Sequence, residues 1–202
     1  KGATSGLDQT VDKGTTSIFD QIGMPMGYDN GTIVARATAD GLKSFYDYSQ
    51  VDRRRMAKPT SPNFFVTAAQ TQLLLAEARF RGWITSGTAA QYFTDGIKAH
   101  MDQLVTYDPG SAVSASARDE YVGAHPLVTG KEMEQINTQY WIASFLNGPE
   151  AFANFRRSGF PALAPNPYPG KEITGTFIRR YSYPSSEISS NNANVQEAIT
   201  RQ

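Results

Sequence analysis

The chain has 202 residues, enough for one domain with a substantial core, and balances 19 Lys plus Arg against 19 Asp plus Glu with no cysteine. Zero net charge leaves no bulk field to hold nucleic acid or an anionic membrane, and the missing cysteines remove disulfides, thiolate metal sites and thiol nucleophiles. The 17 Gly and 11 Pro, with a charged fraction of 19%, below the ~25% usual in such domains, announce long ordered loops.

In chain order, the opening "KGATSGLDQTVDKG" has neither a signal-peptide apolar region nor a transit-peptide pattern. Its polar start without Met reads as a processed or internal beginning. Residues 1–61 are broken by Gly, Pro, Asp and Asn, and only "ATADGLKSFYDYSQ" offers a modest helical candidate. From Asn63, Val66, Ala69, Leu73, Ala76 and Phe80 recur three and four apart, which predicts a helix with Leu74, Leu75 and Ala78 widening its stripe. Glu77 and Arg81 can pair at i,i+4, and Gly82 stands where a terminating glycine is wanted. Thr88 can cap a second helix with Ala89, Phe93, Ile97, Met101 and Leu104 on one face and Asp95, Lys98 and Asp102 on the other. The short connection predicts an antiparallel hairpin, with Gly96 permitting close helix approach.

A short helix is expected around residues 115–121. Thr129 or Gly130 then opens one in which Met133, Ile136, Tyr140 and Ala143 share a face that Trp141 and Phe145 extend. "NGPE" reads as a stop and restart, with Gly148 just past one helix, Pro149 at the first position of the next, and Phe152 and Phe155 directed inward. Residues 160–190 are rich in Pro, Tyr and Ser, with an extended candidate at "EITGTFIRRYSYP", and Ser190-Asn191 can cap a last helix through Ile199.

Chemistry is sparse. His100 and His125 lack metal-ligand spacing, no phosphate-loop or dinucleotide fingerprint exists, and G-x-S-x-G is absent. Asp29, Asp47, Asp52, Glu77 and Asp95 are scattered, and Tyr28-Asp29-Asn30-Gly31 reads as a turn in preference to a calcium loop. Trp83 and Trp141 lie on amphipathic helices or their ends and are expected in the core. Arg156-Arg157, in the last turn of a short helix, is read as a brace that satisfies terminal carbonyls and backbone oxygens of the proline-rich segment, with sugar or phosphate binding as the alternative. No catalytic, metal or cofactor residue is assigned.

Four ordered blocks across residues 50–200 resemble the SusD/RagB family, most closely its SusD-like type two branch. "QLLLAEARFRGWITSGTAAQYFTDGIKAHMDQL" is similar to the family's helical hairpin through Leu74, Ala76, Glu77, Ala78, Arg81, Gly82, Ala89, Tyr92, Gly96, Ile97 and Ala99. "QYWIASFLNGPEAFANFRRSGFPAL" resembles a second block through Gln139, Trp141, Asn147, Gly148, Glu150, Phe155, Arg156, Arg157, Gly159 and Pro161. "FIRRYSYPSSEISSNNANVQEAI" resembles the C-terminal block through Arg179, Arg180, Tyr183, Pro184, Glu187, Asn191, Asn194 and Ala198, and "QVDRRRM" an Asp-x-Arg element ahead of the hairpin.

The resemblance implies a mainly α, SusD-like helical fold with a tetratricopeptide-like hairpin, long irregular loops and few short strands. Residues 1–202 would be one domain, the C-terminal portion of such a protein. Within it, 1–61 would be mostly loop, 62–105 the hairpin, 130–158 helices, and 160–202 the Pro-rich segment and terminal helix. It further implies a non-catalytic lipoprotein on the extracellular face of the outer membrane, lipid-anchored outside this chain. There it would capture oligosaccharide or peptide for a SusC-like TonB-dependent transporter, with no nucleic acid and no cofactor. The other readings are a tetratricopeptide-like scaffold for protein partners, for which no second copy at a 34-residue period is found, and a glycan hydrolase.

Overall fold

The computed structural model describes residues 17–171, 175–178 and 181–201, and among these the regular structure is helical. The helices are α1 (Ile33–Ala39), α2 (Ala68–Phe80), α3 (Ala89–Gln103), α4 (Ala115–Ala124), α5 (Glu132–Ala143), α6 (Gly148–Ser158), α7 (Ser185–Ser190) and α8 (Asn192–Thr200). The mainly α expectation holds. No strand forms among the described residues, and of the extended candidate, Glu172, Ile173, Thr174, Arg179 and Arg180 lie outside them. The chain divides into two units, Lys1–Ala164 and Pro165–Gln202.

The hairpin is built by its ends. Thr67, in extended backbone, accepts a hydrogen bond from the Gln70 amide at 3.1 Å while Gln70 Oε1 accepts from the Thr67 amide at 3.0 Å. This reciprocal cap starts α2 at Ala68, where periodicity alone suggested Asn63. Val66, expected in the buried stripe, therefore lies ahead of the helix and is 80% exposed. At the other end Gly82 adopts φ +76°, and the Trp83 amide donates to the Ala78 carbonyl at 2.9 Å, closing the last turn in the way only a left-handed residue permits. Thr88 then caps α3 through the Gln91 amide, as its position predicted.

The main core joins Ala69, Leu73 and Ala76 of α2, Phe93 and Ile97 of α3, and Ile136, Tyr140 and Ala143 of α5. Gly96 sets the distance between the hairpin helices. A Cβ built there would stand 2.7 Å from Leu73 Cγ and 3.3 Å from the Ala69 carbonyl oxygen, so the expected close approach is present. α4 is tied to α3 from outside by Arg118 on Asp102 (2.7 Å) and Lys98 on Asp119 (2.9 Å). A smaller cluster of Ile33, Ala37 and Tyr48 packs with Ile22, Leu42 and Phe45. α1 here lies upstream of most of the candidate "ATADGLKSFYDYSQ", because Gly41, at φ +75°, ends it.

The second unit, taken alone, carries α7 and α8 with Val195 buried. Asn191, expected as a side-chain cap, makes no such bond to α8; its amide nitrogen instead donates to Glu187 Oε1 at 2.7 Å.

Candidate functional site

Helix α2 presents a carboxylate, Glu77, to the interior beside Leu73 and Ala76, with only 3% of its side chain exposed. A buried carboxylate needs opposite charge and hydrogen-bond donors. Arg157 of α6, 80 residues away, supplies both: Nη1 donates to Oε1 at 2.6 Å and Nη2 to Oε2 at 2.8 Å. Arg81 Nε adds a third bond, at 2.8 Å, in the i,i+4 pairing expected from sequence. The same Arg157 Nη2 also reaches Asn137 Oδ1 of α5 (3.0 Å) and Asn154 Oδ1 of α6 (2.7 Å). Burial alone would raise the Glu77 pKa; the guanidinium of Arg157, then that of Arg81, outweigh it and hold the carboxyl below its ordinary value.

This node corrects the reading of the arginine pair. Arg157 is a brace whose partner is a carboxylate of the first hairpin helix. Arg156 takes no part and lies 5.8 Å over the Phe152 ring. The inward face of α6 is polar: Glu150, Asn154 and Arg157, spaced four and three apart, meet Tyr140, Asn137 and Glu77. Glu150 Oε1 accepts from the Tyr140 hydroxyl at 2.7 Å; burial first, then Glu150, pushes that phenol well above its usual range. Phe152, expected inward, is exposed, because the satisfied polar face outcompetes it for the contact with α5.

The remaining sequence candidates stay apart. His100 is partly buried on α3, and burial lowers its pKa. His125 is exposed, its ring stacked 4.1 Å from Tyr121, and Nδ1 donates to the Tyr121 carbonyl at 2.8 Å. Asp29 Oδ1 accepts from the Gly31 and Thr32 amides, which makes the expected turn. Asp47 accepts from the Lys43 and Ser44 amides, and Asp52 pairs with Arg55. Among the described residues no three or more His, Asp or Glu gather as a metal site would require. A shallow open cavity of about 300 Å³ beside α1 is lined by Gly41, Leu42, Lys43 and Asp47.

Exposed aromatics give a different outcome from the one expected. Trp141 is 39% exposed on the outer side of α5, and Trp83 is 71% exposed just past Gly82. Amphipathic pattern alone predicts both in the core. Gly82 turns the chain away from α2 before Trp83 can fold inward. Instead the Arg81 guanidinium lies 5.2 Å over the Trp83 ring.

Residues 12–184 match the family model of SusD-like proteins, described as starch-binding and associating with the outer membrane. Among solved structures, a chitin-binding protein is 42% identical with a TM-score of 0.61, over 70% of this chain and 31% of that one. A SusD-like protein from Bacteroidetes is 30% identical with a TM-score of 0.66, over 88% of this chain and 37% of the other. A SusD homologue of Bacteroides fragilis is 29% identical with a TM-score of 0.62, over 83% and 37%. The chain thus spans about a third of the length of these structures. No curated protein matches it. With its hairpin, its second block and more than half its length in agreement, the chain belongs to the SusD-like family.

Proposed function

We propose that this chain forms the helical scaffold of a cell-surface receptor that captures oligosaccharide, with chitin-type N-acetylglucosamine oligomers as the first ligand to expect. The receptor would be held at the outer membrane by a lipid anchor outside residues 1–202 and would hand its cargo, unaltered, to a SusC-like TonB-dependent transporter. The observation that carries the reading is the 42% identity to a chitin-binding protein over 70% of the chain. Two features support it. The balanced charge suits an uncharged ligand. The most buried carboxylate among the described residues, Glu77, is occupied by two arginines and held ionised, whereas glycosidic cleavage needs an acid with a raised pKa.

The test is calorimetric titration of the purified chain with chitohexaose, maltohexaose and a mixed tripeptide library. Saturable binding of chitohexaose supports the reading, maltohexaose alone would move it to starch, and peptide alone would replace it. Copurification of the full-length protein with a TonB-dependent β-barrel from detergent-extracted membranes tests the partner.

A further inference from the structure

We infer that α6 is a strap: in the 202-residue chain it opens from α5 as a unit while α2, α3 and α5 stay packed, uncovering Glu77, Asn137 and the Tyr140 hydroxyl. Three observations converge. First, α6 has no share in the apolar core. Among the described residues that core is built from α2, α3 and α5, and the side chains at its margin come from α3, α4 and Leu127. Asn154 is the one buried residue of α6, and Phe152 faces outward. A helix with so little apolar burial belongs to the low-stability end of a fold, where local opening precedes global unfolding.

Second, what holds α6 in place is polar. Glu150 Oε1 accepts from the Tyr140 hydroxyl, Asn154 Nδ2 donates to the Asn137 carbonyl at 3.5 Å, and Arg157 forks onto Glu77. Water replaces hydrogen bonds of this kind when they part, and the partly exposed Arg157 side chain already admits it; buried apolar surface has no such substitute. Third, the strap has a backbone joint at each end. Leu146, just ahead of it, is held at φ +66°, which is unfavourable for a residue with a Cβ, and Gly159 closes it at φ +78°. Opening relaxes Leu146. The root stays fixed, because Asn147 Nδ2 donates to the Phe64 carbonyl at 3.1 Å and ties the joint to the segment ahead of α2.

Native-state hydrogen exchange of the purified chain, followed by mass spectrometry across sub-denaturing urea, tests the strap. Amides of residues 151–159 are expected to be less protected than those of α2, α3 and α5, with a shallower but finite dependence on urea, the mark of a small cooperative opening. Ile97→Val trims the core on α3, away from α6. It should speed exchange in α2, α3 and α5 about three- to tenfold and leave residues 151–159 unchanged, because the open and closed forms lose the same contact. Arg157→Ala should speed exchange of residues 151–159 about tenfold or more. Leu146→Asn, which accepts left-handed backbone more readily, should slow it. Acceleration of residues 151–159 by Ile97→Val to the same extent as the core would show one cooperative unit and overturn the strap. So would a urea dependence of zero, which marks fraying of single amides, or no response to Arg157→Ala.

Discussion

Replacing Arg157 by alanine would leave Glu77 buried with one guanidinium instead of two, and would strip Asn137 and Asn154 of the donor they share. Removing one partner of a buried ion pair costs about 3–5 kcal/mol. Two features of the site reduce this. The Arg157 side chain is itself 42% exposed, so water can enter where it stood, and Arg81 keeps its bond to Oε1. A loss of roughly 2–3 kcal/mol follows, which for a domain of this size lowers the Tm by about 5–10 °C. Arg156→Ala, which removes only a stack on an exposed phenylalanine, should lose no more than about 1 kcal/mol. Thermal and urea unfolding of the two variants side by side measures the contrast. Adding Glu77→Gln to Arg157→Ala should lose less than the sum of the single changes, since both act on one contact. Equal destabilisation by the two arginine changes, or strict additivity, would refute the node.

The other expectations concern acid and packing. Because the folded-state pKa of Glu77 is depressed, its contribution to stability is complete above the ordinary carboxylate value of about 4.3 and is lost as pH falls through the folded value. Glu77→Gln should therefore be less stable than the parent at pH 7, with the gap closing in urea melts below about pH 4; a gap constant down to pH 2 would contradict the assignment. Gly96→Ala places a methyl 2.7 Å from Leu73 Cγ, and Leu73, 1% exposed, has nowhere to go. Overpacking of about 1–3 kcal/mol should exceed the ~1 kcal/mol of helix propensity gained, giving a net loss in urea unfolding. A variant as stable as the parent would show that the hairpin helices can part.

What could be read beforehand was local. Thr88, Gly82 and the Glu77–Arg81 pairing each act within one or two turns, and the structure places all three as their spacing required. Gly96 was legible because only a missing side chain admits a neighbour like Leu73. The partner of Arg157 was not, because a contact across 80 residues leaves no local spacing to read. The spacing of Glu150, Asn154 and Arg157 on one face of α6 was present in the sequence and could have pointed to a polar docking face, but Phe152 and Phe155 drew the reading to the other side. Trp83 was misplaced for a related reason. Hydrophobic patterning assigns a tryptophan to the core, whereas the backbone angle of Gly82 decides where it points.

The proposed receptor would hold a glycan and return it whole. The most direct measurement is one incubation of the chain with chitohexaose, read twice: the binding isotherm by calorimetry, and the mass of the recovered sugar after a day at the same temperature. Saturable binding with the hexasaccharide mass unchanged is the expected result. Shorter oligomers appearing in proportion to protein, or no heat of binding at any concentration, would contradict it.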